Sequence, residues 1–158
     1  MIDGSSGSVV VGISAENVEI NRFTIQKGGR AAFESARPAL KILYNKFAEN
    51  GWDSNYCYVH NVRGQGDVLF QYNDVVADES RAHTVNYGFY SWGNSDDNQV
   101  NDNDFHGASG NAIYIKGYDY HVSVDNVVSG NDISGGNAAM QLESLSSTEG
   151  YYPKNLYQ

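Results

Sequence analysis

Three groups of residues in this 158-residue chain could do chemistry. His60, Lys116 and Glu143 form an acid–base set, whose imidazole, amine and carboxyl could exchange protons with a bound substrate once their surroundings tune them. Asp67, Asp97 and Asp125 form a second set, each six residues before a repeated asparagine (Asn73, Asn103, Asn131). If they stack, their like charges oppose one another. Three things could relieve that: bound calcium held by Asp67, Asp97 and Asp125, a raised pKa that makes Asp67 or Asp97 a general acid, or outward splay into water. The third set is Glu34, Tyr58, Tyr90, Trp92, Tyr114 and Gln141, flat apolar platforms with polar edges that could hold a sugar chain. Tyrosines also favour strands and are enriched at protein interfaces, so an oligomer contact would suit the same stripe.

These residues can act together only if the elements carrying them are stacked. Asn21, Asn45, Asn73, Asn103 and Asn131 each precede an apolar residue by two positions, at steps of 24, 28, 30 and 28. A repeat of this length predicts units that bury their apolar faces against neighbours, as in a solenoid. Aligned on the asparagine, each unit reads as two short strands with a turn between. The second strands are Val18–Phe23, Leu40–Phe47, Val68–Val75, Val100–Phe105 and Val127–Ile133. Stacking the first strands with Phe33, Cys57, Phe89, Ile113 and Met140 inward gives one outward row of Glu34, Tyr58, Tyr90, Tyr114 and Gln141. The next row is Ala36, His60, Trp92, Lys116 and Glu143, which sets His60 and Lys116 on either side of Trp92. The asparagines themselves are expected to bond from unit to unit and satisfy buried turn groups, without a catalytic role.

Composition narrows the field. A net charge of -9 with ten scattered Lys and Arg disfavours nucleic acid and anionic membranes as partners. No stretch approaches the roughly 20 apolar residues of a membrane-spanning helix. The lone Cys57 excludes an internal disulfide and is expected to be an inert core thiol. Gly64-Gln65-Gly66 has no helix signal after it and does not read as a nucleotide loop, and Asp102-Asn103-Asp104 reads as a strand-edge turn. The four histidines lack zinc spacing. Residues 1–158 are expected to form one domain, or a piece of a longer solenoid because neither end reads as a cap, with an irregular segment over 145–158.

The opening Ile2-Asp3-Gly4, the run Asn17–Ile25 and the recurring asparagines resemble the right-handed parallel β-helix proteins, the architecture of pectate lyases and their polysaccharide-acting relatives. The stretches around Tyr58-Val59-His60-Asn61 and Tyr87–Trp92 resemble the disaggregatase-related β-helices of methanogenic archaea. The resemblance implies an all-β right-handed parallel β-helix of five to six coils. It also implies an extracellular or cell-surface hydrolase or lyase, acting on an extended and sometimes uronate-containing glycan. The Asp-Pro-His-type signature of alginate epimerases and a pectate-lyase calcium signature are both missing. The chemistry therefore stays open between hydrolysis by paired carboxyls and elimination by a base drawn from Arg63, Arg81, His83, Lys116 or His121. The alternative is a non-catalytic β-helix that binds glycans, forms homo-oligomers or joins neighbouring β-helix segments. Calcium is the only cofactor suggested.

Overall fold

The structure is a computed structural model of the chain. It describes residues 1–5, 8–50, 57–63, 66–76, 86–93, 96–107, 110–117, 125–135, 138–143 and 156–157, with backbone alone at 57–63, 86, 138, 142–143 and 156–157. Apolar–polar alternation over a few residues suits half-buried strands, and the described residues form strands and no helix.

The strands lie in three sheets and pair in parallel. Sheet A holds β1 (Ile2–Asp3), β4 (Thr24–Gln26), β7 (Lys46–Ala48), β10 (Asp74–Val76), β14 (Asp104–His106) and β17 (Asp132–Ser134) in that order. Sheet B holds β2 (Val9–Ile13), β5 (Ala31–Ser35), β8 (Cys57–Arg63), β12 (Phe89–Gly93), β15 (Asn111–Gly117) and β18 (Ala138–Glu143), with β11 (Asn86–Tyr87) also paired to β8. Sheet C holds β3 (Glu19–Asn21), β6 (Leu40–Leu43), β9 (Val68–Gln71), β13 (Gln99–Asn101), β16 (Val127–Ser129) and β19 (Leu156–Tyr157). The chain therefore visits sheets A, B and C in a recurring order. Within 145–158, Leu156 and Tyr157 pair with Val127 and Val128 and extend sheet C.

This corrects the expectation of two strands per unit, because the apparent second strand bends at a corner and divides between sheets C and A. Leu40–Phe47 breaks at Tyr44, whose φ of 55° is left-handed. The same corner holds Arg22, Tyr72, Asp102 and Gly130 at positive φ. A second corner, leading into sheet C, holds Asn17, Ala39, Asp67, Asp97 and Asp125 in the same conformation, and Lys27, Glu49, Gly107 and Gly135 mark the exit from sheet A. A left-handed residue turns the chain within one position, which suits Gly, Asn and Asp best and costs other residues about 1–2 kcal/mol.

The corner between sheets C and A carries the asparagine ladder. Asn45 N–H donates to Asn73 Oδ1 at 2.9 Å, Asn73 N–H to Asn103 Oδ1 at 2.9 Å, and Asn103 N–H to Asn131 Oδ1 at 3.0 Å. Each side-chain amide also donates to a strand carbonyl: Asn45 to Ile20, Asn73 to Ile42, Asn103 to Phe70 and Asn131 to Val100. Corner groups that would be buried and unpaired are thus satisfied, as the sequence reading expected. Asn21 is a correction, since it pairs in register with Leu43 inside sheet C. The ladder position in that first passage is Phe23, whose N–H donates to Asn45 Oδ1 at 3.0 Å.

The inward faces of all three sheets meet in one apolar cluster. Phe70 of sheet C lies at its centre, with ring centroids 5.8 Å from Phe47, 5.2 Å from Phe89 and 6.2 Å from Phe105.

Candidate functional site

Sheet B carries most of the candidate residues, and its register decides which are neighbours. Phe89, Tyr90 and Trp92 of β12 pair with Ile113, Tyr114 and Lys116 of β15. These in turn pair with Met140, Gln141 and Glu143 of β18. The expected alignment holds over these three strands. At β8 it does not. Glu34 and Tyr90 both pair with Asn61, so Asn61 takes the place expected for Tyr58. Trp92 pairs with Arg63 where His60 was expected, and His60 stands in register with Phe33. Tyr58 lies in register with Ala31 and Tyr87. A shift of three residues exchanges the two faces of a strand, and β8 does not choose between them by pattern, since Cys57 and Val59 set one apolar phase and Val62 the other. The side chains of Tyr58, His60 and Glu143 lie outside the described residues.

The described side chains on this face are closely packed. Tyr87, Tyr90 and Tyr114 form a three-ring cluster with every pair of centroids 5.1 Å apart, and Tyr114 is only 7% exposed. Offset and tilted rings at this distance attract through their quadrupoles beyond simple burial. Glu34 is ion-paired with Arg30, and Gln141 accepts a hydrogen bond from Asn111 Nδ2. Trp92 and Lys116 are partly buried side by side on paired strands. The face thus offers aromatic edges, an amide and a cation in adjoining rows.

Asp67, Asp97 and Asp125 do stack at one corner position, in register through the strands that follow them and with matching left-handed φ. Their side chains are exposed. Burial, followed by the charges of Asp125, Asp96 and Asp67, raises the Asp97 carboxyl above its ordinary pKa. Among the described residues no group of three His, Cys, Asp or Glu is placed to hold a metal ion, and of the three ways to relieve the stacked charges the exposed side chains suit outward splay into water.

The structure also assembles groups that the sequence reading passed over. On sheet A, His106 Nδ1 lies 2.7 Å from Ser134 Oγ, and His106 Nε2 lies 2.9 Å from Asp104 Oδ1. Asp104 Oδ1 is withdrawn from solvent yet has no aligned hydrogen-bond donor, so its contact with the ring is one of proximity, and an ion pair only when the imidazole is protonated. At the ladder corner, Tyr44 and Tyr72 stack 4.9 Å apart while 50% and 45% exposed, and the Arg22 guanidinium lies 5.7 Å from the Tyr44 centroid. The signal for that pair was available, since each tyrosine immediately precedes a ladder asparagine. Asn98 and Asn126 form a second buried ladder, with Asn98 Nδ2 donating to Asn126 Oδ1 at 2.8 Å.

No protein-family model matches the chain, and no curated protein or solved structure is detectably similar to it.

Proposed function

We propose that the three sheets close into a right-handed parallel β-helix whose sheet B face binds an extended polysaccharide, as an extracellular hydrolase or lyase would. The observation that carries this reading is the Tyr87–Tyr90–Tyr114 cluster, set in outward rows with Trp92, Lys116, Glu34 and Gln141. Rows of this kind run from strand to strand at the ~4.8 Å spacing of paired strands, so they present repeating contacts to a repeating polymer. Tyrosine edges and amides hydrogen-bond hydroxyls, while Trp92 adds an apolar plate. Lys116 would neutralise a uronate carboxylate or act as the base of an elimination, with Glu143 one strand further on as the carboxyl partner.

A second reading is favoured by the low exposure of Tyr114 and the contact of the three rings with one another. A face already packed in this way also suits a non-catalytic module that binds glycans or assembles with other copies.

One experiment separates these readings. The protein is incubated with uronate-rich and neutral polysaccharides while retention on each polymer, new reducing ends and unsaturated products are followed. Retention with product formation supports the enzyme, and retention alone supports the binding module. Absence of retention on every polymer overturns the glycan reading.

A further inference from the structure

The corner column that contains Asp67, Asp97 and Asp125 begins with Asn17 and Ala39, matched through the pairing of β3, β6, β9, β13 and β16. Of these five left-handed residues only Ala39 lacks a polar side chain, although its φ of 57° favours Asn, Asp or Gly. A groove of about 450 Å³ opens at Ala39, bounded by Asn17 on one side and Asp67 on the other. The volume falls in the range of about 300–1,000 Å³ usual for small-ligand sites. Its outer wall is the sheet C row Glu19, Lys41, Leu69 and Gln99, whose members are consecutive in register.

The lining is mixed in a way that restricts the occupant. Ala39 and Leu69 give a small apolar patch, Asn17 and Gln99 offer amides to hydroxyl groups, and Glu19 and Asp67 outnumber Lys41. Asp97 and Asp125 continue the column beyond Asp67, and the chain as a whole carries a charge of -9. The field at the groove therefore draws cations and repels anions. The upward displacement of the Asp97 pKa by burial and by its acidic neighbours reflects the same crowding of negative charge.

We propose that this groove binds an amino-sugar oligomer, with Asp67 holding the protonated amine of one unit against Leu69 and Ala39, and Asn17 and Gln99 bonding hydroxyls of the units on either side. The site lies on sheet C and is independent of the glycan face on sheet B.

Calorimetric titration of the intact chain with glucosamine oligomers, N-acetylglucosamine oligomers and spermidine tests the assignment. Two variants accompany the wild type. Ala39→Asn projects an amide into the middle of the groove from a residue that accepts the left-handed corner, as Asn17 already does. Asp67→Asn removes one charge without changing size. The expected result is binding of glucosamine oligomers by the wild type and roughly tenfold or greater weakening in each variant, the scale of losing a hydrogen bond to a charged group. N-acetylated oligomers and spermidine should bind far less. Undiminished binding by folded Ala39→Asn, equal binding of spermidine, or no binding of glucosamine oligomers would each overturn the proposal.

Discussion

Asp97 occupies a corner where partial burial, and then the charges of Asp125, Asp96 and Asp67, raise its affinity for a proton, and its exposure limits what that costs. Because the folded-state pKa is above the unfolded value, the folded chain binds more protons. That contribution is complete below the ordinary carboxylate range near pH 3.9 and is lost as pH rises through the elevated value. Asp97→Asn should therefore stabilise the protein at neutral pH, by no more than about 0.5 kcal/mol since solvent screens an exposed charge. Thermal melting of both proteins from pH 7 to pH 3 should show the advantage shrinking as the solution is acidified. A constant offset would mean that the charge is not the cause. Asn73 is a sharper case, because it is buried and satisfies the Asn45 N–H and the Ile42 carbonyl together. Asn73→Ala should cost on the order of 2–4 kcal/mol in chemical denaturation, and Asn131→Ala less, since that end of the ladder is only partly buried. Both rows were legible because turn residues recur at a fixed step. Asn21 misled because it lies two positions ahead of the ladder site, where Phe23 supplies only its backbone.

Among elements, the boundaries of the strands were less legible than their existence. A left-handed tyrosine at position 44 or 72 gives no turn signal of the kind Gly or Asn gives, so the divided strands of sheets C and A read as one. The register of β8 was hidden because its alternation changes phase, with Cys57 and Val59 apolar on one face and Val62 on the other, so Cys57–Arg63 fits more than one alignment. Gly66 illustrates a motif whose meaning became clear only with packing. A Cβ there would overlap the Asp96 carbonyl oxygen, so the glycine permits close approach of two successive corners. The neighbouring Asp67 N–H donates to that same carbonyl at 2.9 Å. Gly66→Ala should destabilise by about 1–3 kcal/mol, the scale of overpacking, with a lowered melting temperature as the measure. An unchanged melting temperature would show that the corners have room to separate.

At the scale of the whole molecule, parallel strands in three sheets share one core, and Phe70 touches aromatic rings from both other sheets. Phe70→Ala should cost about 3–5 kcal/mol, because neighbours on three sides cannot all collapse into the cavity. Denaturant unfolding would report it as a lowered midpoint, and a loss below about 1 kcal/mol would contradict the shared core. The repeat made this architecture visible in the sequence, since each unit has too little apolar surface to fold alone. The candidate site was legible only in part: Tyr90 and Tyr114 adjoin in register as the alternation predicted, but Asn61 stands where Tyr58 was expected and Arg63 where His60 was expected beside Trp92, and the contribution of Tyr87 was missed. The most direct measurement is titration of wild type and Trp92→Ala with oligosaccharides from whichever polysaccharide the protein retains. Binding to the sheet B face predicts a loss of about 1–3 kcal/mol in the variant, the cost of truncating a central aromatic contact. Equal affinity in a folded Trp92→Ala protein would contradict it.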